Sequence, residues 1–172
     1  MESEHCMRNS SSKPFFLCCG SAALMIAAAL ILHSQSSPTP NPDVEKQALT
    51  ILRMKTVARS LDMYKADIGF YPSAASIAGL SVTLEPDYFE QGKLHEYGTD
   101  GWGRPMRYET WSDNPNPKGD QHYVLSSAGR DGKWEQVNIR QYAPRATLTM
   151  DDNLVISDNH FLRHPSAEEI KH

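Results

Sequence analysis

The feature that most constrains the fold is one long amphipathic helix, which the sequence predicts between Pro42 and Ile68. Asn41 suits the cap before its first turn, Pro42 suits the first turn itself, and Gly69 suits the end. Such a helix would be roughly 40 Å long and must pack along its length against another layer. Apolar residues recur at spacings of three and four along one predicted face: Val44, Ala48, Ile51, Met54, Ala58, Leu61 and Tyr64 or Lys65.

Short β-prone segments follow the helix, and turn-forming residues separate them. Loops rich in Asp, Asn, Pro and Gly are predicted at residues 113–120 and 129–132. The predicted strands are residues 106–111, 122–127, 154–157 and 160–163. One long helix followed by short strands with tight connections predicts an α+β domain in which the helix lies across a small antiparallel sheet.

An uncharged apolar run at residues 15–32 precedes a linker rich in Pro and Ser at 34–42. As a helix the run would be roughly 27 Å long, near the lower limit for crossing a bilayer, so 15–33 are predicted to be a transmembrane anchor or signal segment. Arg8 and Lys13 place residues 1–14 in the cytoplasm and the rest of the chain outside. The length of the run favours an anchor, while Ser34 and Ser36 leave signal cleavage and secretion as the alternative.

Charge and cysteine usage exclude several classes of function. The net charge of −4 implies no basic face for nucleic acid. All three cysteines precede residue 20, which leaves the rest of the chain without a thiol for a disulfide, a zinc site or a nucleophile. Ser126 and Ser127 lie near His122 in sequence but lack the glycine pattern of a nucleophile elbow, and His160 and His164 are predicted to be surface histidines on a strand. We therefore expect a protein that is not an enzyme.

Four sequence blocks, in this order, resemble the major (G-type) pseudopilin of type II secretion systems: LDMYKADIGFYP at 61–72, GL at 79–80, DGWGRP at 100–105 and LSSAGRDG at 125–132. The resemblance implies a head domain at 43–164, with a long helix on an antiparallel sheet of about three strands. The polar residues 165–172 are predicted to form a flexible tail. It also implies a single-pass inner-membrane protein whose head lies in the periplasm. The implied partners are other pseudopilins or inner-membrane components of the secretion system, with the membrane bound through residues 15–32.

The resemblance further implies a calcium ion that holds the C-terminal loop. Calcium takes six to eight oxygen ligands, and the glycines of 125–132 permit a loop tight enough to turn several oxygens toward one point. The second half of the family's site finds its nearest match at 149–154, after an insertion at 133–150, with Asn153 aligned to an aspartate. The ligands implied are the Leu125 carbonyl, Ser127, Asp131, Asp151, Asp152 and Asn153.

The N-terminus departs from the family. Family members that assemble are cut after a glycine preceding a methylated phenylalanine, and they carry a glutamate at the fifth mature position. Here Pro14 precedes Phe15, and Cys19 stands fifth. We therefore expect no cleavage by prepilin peptidase, and we expect a pseudopilin-like component of a secretion system or an accessory to one. The alternative is a stand-alone calcium-binding module, tethered or secreted, that forms no filament.

Overall fold

The structure, a computed structural model, describes residues 41–113, 121–135 and 137–165. The predicted N-terminal tail, the anchor or signal segment, nearly all of the linker and residues 166–172 lie outside this part of the chain. Among the described residues, no helix is both long and apolar enough to cross a membrane.

Helix α1 (Pro42–Ile68) has the bounds predicted from the sequence. The Asn41 side chain caps its start by accepting a hydrogen bond from the Asp43 N–H at 3.0 Å. Gly69 ends the helix in the left-handed conformation, with φ of +91°, and its N–H donates to the Lys65 carbonyl at 2.8 Å. The caps satisfy backbone groups that have no partner within the helix, which is why local sequence sets both ends.

The buried face of α1 confirms the prediction only in its second half. Met54 and Leu61 are fully buried as expected. In the first half Ala48 is exposed, and the polar side chains of Gln47 and Thr50 are buried instead. The predicted place of Ala48 on the buried stripe was therefore wrong.

The cause is a turn at residues 100–104 that packs directly on the first half of α1. The Thr50 hydroxyl donates to the Lys46 carbonyl at 2.8 Å and accepts from the Gly101 N–H at 2.8 Å. Burial of this hydroxyl costs little because both of its hydrogen-bonding functions are satisfied. This face of the helix is polar because it contacts the backbone of the turn. A pattern of hydrophobic residues does not reveal such a contact.

Five strands form one mixed sheet within the described residues, in the order β1-β2-β4-β5-β3. The strands are β1 Arg107–Ser112, β2 Gln121–Ser127, β3 Arg145–Thr147, β4 Leu154–Ser157 and β5 His160–Pro165. Neighbours are antiparallel except β3, which runs parallel to β5. The prediction of about three antiparallel strands was therefore wrong. Four strands match the predicted segments, whereas β3 lies in the 133–150 insertion and carries no strand pattern of its own.

Short helical turns connect α1 to the sheet and cover the rest of the core. A 3₁₀ turn at Ile139–Gln141 lies elsewhere, in the 133–150 insertion between β2 and β3. The turns between α1 and the sheet are a 3₁₀ turn at Ala78–Leu80, helix α2 at Ser81–Leu84 and helix α3 at Leu94–Tyr97. Helix α1 and these turns bury one face of the sheet around Tyr123, Leu125 and Ile156. On the opposite face Tyr142 packs with Val124 and Val155 in a second, smaller cluster.

Replacement of Gly101 by Ala tests the contact between the 100–104 turn and α1. A Cβ at Gly101 would lie 2.0 Å from the Lys46 carbonyl oxygen, which belongs to the helix backbone and cannot rotate away. We expect Gly101→Ala to lower the free energy of unfolding by about 3 kcal/mol. Gly103→Ala is the matched control: φ there is +80°, with no atom near the added Cβ, so we expect a cost of about 1 kcal/mol. Denaturant unfolding measures both free energies, and equal losses for Gly101→Ala and Gly103→Ala would contradict the contact.

Candidate functional site

The structure brings together the two sequence segments that carry the predicted ligands. The Arg130 N–H donates to the Met150 carbonyl at 2.7 Å, which joins the 128–132 loop to the turn at 148–152. We call the contact between residues 125–132 and 149–154 the loop junction. Gly129 lies at its centre, where a Cβ would stand 2.5 to 2.8 Å from the carbonyl oxygens of residues 150–152. Only glycine fits so close to three carbonyls, and its φ of +71° also favours glycine.

Leu125 and Ser127 occupy the buried end of the junction on β2. Leu125 is fully buried, between Tyr108 of β1 and Ile156 of β4 in the strand register. The Ser127 hydroxyl donates to Oδ2 of Asp100 at 2.9 Å and accepts from the Gly129 N–H at 3.2 Å. Ser127 therefore fixes the start of the loop to the 100–104 turn.

Asp131 and Asp151 lie on the outer side of the junction, each beside a basic residue. Oδ1 of Asp131 accepts from the Lys133 N–H at 2.8 Å, and its other oxygen lies 3.6 Å from the Lys133 Nζ. Both carboxylate oxygens of Asp151 accept from Arg130, Oδ1 from Nε at 2.7 Å and Oδ2 from Nη2 at 3.0 Å. The guanidinium thus makes a bidentate pair, which is the strongest form of this contact.

Asp152 and Asn153 shape the turn and its neighbourhood. One oxygen of Asp152 accepts from the backbone N–H groups of residues 148 and 149, at 2.7 and 3.2 Å. Asn153 is buried, and its side-chain oxygen accepts from the Glu135 N–H at 2.9 Å and the Tyr142 hydroxyl at 3.0 Å. Its Nδ2 donates to the Lys133 carbonyl at 3.0 Å. The amide therefore holds the start of the insertion against the junction.

The oxygens at the junction are of the kind that calcium prefers, but most of them belong to the backbone. No group of three or more His, Cys, Asp or Glu side chains placed to hold a metal occurs in the part of the chain that the structure describes. The carbonyls of residues 150–152 face Gly129, and the Asp131 carboxylate lies on the same loop as Gly129, beside Lys133. Oxygens of both kinds are ligands that calcium accepts. Asn153 does not fit as a ligand because its oxygen already accepts two hydrogen bonds.

Arg130 is the residue at the junction that sequence reasoning missed. Besides its pair with Asp151, its guanidinium lies 3.6 Å from Oδ2 of Asp43 in the first turn of α1. Oδ1 of Asp43 accepts from the Trp102 indole N–H at 3.1 Å, which places this indole against the first turn of α1. The hydrogen bonds from Arg130 hold the pKa of Asp151 below its usual value of 3.8. The Trp102 hydrogen bond lowers the pKa of Asp43.

A buried carboxylate, Asp100, connects the junction to the rest of the head. Its Oδ1 accepts from the N–H groups of Trp102 at 3.0 Å and Arg104 at 2.9 Å, while Oδ2 accepts from Ser127. Arg104 in turn donates to the Gly129 carbonyl at 2.6 Å. The sequence Asp-Gly-Trp-Gly-Arg contains a detectable signal, since an aspartate that starts a turn commonly accepts from N–H groups further along.

Arg53 of α1 is largely buried, with 13% of its side chain exposed. Its guanidinium donates to the carbonyls of Thr99 at 3.2 Å and Asp100 at 3.1 Å, and it pairs with Glu96 at 3.3 Å. The local sequence does not indicate hydrogen bonds to carbonyls that lie so far along the chain.

The residues considered for hydrolytic chemistry do not form a nucleophile and base pair with one another. Nδ1 of His122 lies 2.7 Å from Oδ2 of Asp158, whereas the Ser127 hydroxyl is bound to Asp100. His160 and His164 are both exposed on β5, as predicted for surface histidines.

A capped helix of this length on a small sheet, closed by a loop junction, is the head architecture that the resemblance to pseudopilins implied. Residues 39–141 match the family described as Type II secretion system (T2SS), protein G. The chain therefore belongs to the type II secretion system protein G family. The type II secretion system core protein G of Pseudomonas aeruginosa is 32% identical over 118 residues, which cover 64% of this chain and 75% of that protein. No solved structure matches the chain.

Replacement of Arg130 by Gln tests the ion pairs at the junction. The pKa of Asp151 is lower in the folded protein than in the unfolded chain. The ion pair with Arg130 therefore stabilises the fold at pH values above the unfolded pKa of Asp151. This stabilisation is lost as the pH falls through the pKa of Asp151 in the folded protein. We expect Arg130→Gln to lower Tm at pH 7, and the difference from wild type to shrink below about pH 4. Arg59→Gln, at an exposed position of α1, is the matched control and should leave Tm unchanged at both pH values. If the Tm difference between Arg130→Gln and wild type did not change with pH, this would contradict a role for the Asp151 charge.

Proposed function

We propose that this chain is a non-enzymatic, pseudopilin-like component of a type II secretion system, or an accessory to one, acting through contacts between subunits. Its membership of the protein G family carries the proposal. The match over residues 39–141 includes α1, the 100–104 turn and the first loop of the junction. These elements hold the helix on the sheet, so the match covers more than a single motif, although β3, β4 and β5 lie beyond it.

The proposed location is the inner membrane, with the head in the periplasm. The uncharged run at 15–32 and the basic residues Arg8 and Lys13 before it support this orientation. Secretion after signal cleavage is the alternative, and it would place the same head outside the membrane without a tether.

A stripe of exposed apolar residues on α1 supports contacts between subunits. Leu49, Leu52 and Met63 are 39%, 58% and 46% exposed. With Thr56 and Arg59 they lie at alternating spacings of three and four residues, the spacing of a seam that packs on a second helix. We call these five positions the helix stripe. Its proposed partners are the helices of other pseudopilins or of inner-membrane components of the secretion system.

Photo-crosslinking from the helix stripe tests this proposal. A benzophenone amino acid at position 52 should crosslink the chain to a second copy or to another secretion-system protein in cells that express the system. Leu148, an 80% exposed leucine in the 148–152 turn, is the matched control position and should give no such product. Equal products from both positions, or none from position 52, would count against contacts through the stripe.

We further propose that calcium stabilises the head at the loop junction. The backbone carbonyls of residues 150–152 and the Asp131 carboxylate would hold the ion. A bound ion would supply positive charge between two loops that otherwise meet through Arg130. This site is poorer in carboxylates than the family pattern, so we expect weak binding.

Thermal melts with calcium or with chelator test the ion. If calcium binds the folded state, millimolar calcium should raise Tm by a few degrees, and magnesium should not. Asp131→Asn should abolish the increase because the amide lacks the negative charge. The loop should keep its shape, since the amide oxygen can still accept from the Lys133 N–H. Asp87→Asn, at an exposed aspartate outside the junction, should retain it. If the Tm of wild type were the same with calcium and with chelator, the calcium site would be contradicted. The proposal of contacts between subunits would not be affected.

A further inference from the structure

A groove of about 530 Å³ runs along the outer edge of β1. Residues of the loop after α1 form one wall, and residues of the 133–150 insertion form the other. The floor is the start of β1 itself. The residues that matter to its chemistry are Ser76, Arg107, Glu109, Trp134 and Ile139.

The floor of this groove is an open edge of the sheet. Strand β1 is outermost in the sheet and pairs with β2 on one side only. Just before β1, the chain makes an antiparallel bridge between Thr99 and Pro105, and the Met106 N–H donates to the Gly98 carbonyl at 2.9 Å. From Arg107 onward, no strand among the described residues pairs with this edge. An edge of this kind is a template for a further strand.

The wall contributed by the insertion carries a positive charge on an aromatic surface. The Arg107 guanidinium lies over the Trp134 ring, 3.9 Å from its centroid. Arg107 is exposed and forms no ion pair with the described residues, whereas the neighbouring Glu109 is neutralised by Arg140. Among the described residues, the groove therefore presents an unpaired cation at Arg107, on a chain whose net charge is −4.

We propose that this groove binds an extended peptide segment carrying an acidic side chain, which adds to β1 as an antiparallel strand. Backbone hydrogen bonds to the open edge would supply affinity that does not depend on sequence. Pairing of the acidic side chain with Arg107, over the Trp134 ring, would select the peptide and fix its register. Strand β1 spans roughly 20 Å, which is the length of about six extended residues. This inference is independent of the proposed contacts through the helix stripe.

Two synthetic peptides test the proposal with the full chain in detergent. Both are blocked octapeptides of alternating Thr and Val, one with a central Glu and the other with a central Lys. Fluorescence anisotropy should give at least about tenfold tighter binding of the Glu peptide. Amide hydrogen exchange in β1 should slow when the Glu peptide is added, because the added strand would accept hydrogen bonds from the open edge.

Charge reversal at Arg107 supplies the second test. Arg107→Glu should weaken binding of the Glu peptide about tenfold or more and should make the Lys peptide the preferred one. Lys55→Glu makes the same charge change at an exposed position of α1, outside both the groove and the helix stripe, and should leave the preference as in wild type.

Three results would overturn the proposal. These are equal binding of both peptides to wild type, unchanged exchange in β1 on binding, or dimerisation through this edge in the absence of peptide. The anisotropy and hydrogen-exchange measurements on wild type still test the proposal if Arg107→Glu does not fold.

Discussion

The buried carboxylate of Asp100 is the constraint on which the rest of the head depends. It accepts hydrogen bonds from the two N–H groups that close its own turn and from the Ser127 hydroxyl at the end of β2. The same turn lies against α1, where Thr50 and Arg53 bind its backbone. One buried acid therefore sets the distance between helix and sheet and the position from which the loop junction starts. The buried carboxylate is tolerated there because both of its oxygens accept hydrogen bonds.

The bounds of α1 and four of the five strands could be predicted because local residues determine them. Asn41 and Gly69 cap the helix through their own side-chain and backbone properties, whatever packs against it. The buried face of the first half of α1 could not be predicted, since it depends on the approach of Gly101 from a distant part of the chain. Strand β3 was missed for a similar reason, because pairing with β5 defines it and its own sequence does not.

The candidate site was predictable as a meeting of two segments but not in the roles of its residues. Glycines and aspartates at 125–132 and 149–154 indicated two tight turns, and the structure joins them through Arg130 and Met150. What the sequence could not reveal is which oxygens already have partners. Arg130 takes both oxygens of Asp151, and the Asn153 oxygen accepts two hydrogen bonds. These partners lie too far away in sequence for spacing to indicate them.

Two departures from the family pattern, Asn153 and the 133–150 insertion, form one structural unit. The Asn153 amide donates to the Lys133 carbonyl and accepts from the Glu135 N–H and the Tyr142 hydroxyl. An aspartate would place a second acceptor oxygen against the Lys133 carbonyl and lose that donor, so the insertion requires an amide at this position. The segment held in this way buries Tyr142 on the outer face of the sheet and presents Trp134 beside Arg107. Through the insertion, Asn153 therefore positions one wall of the β1 groove.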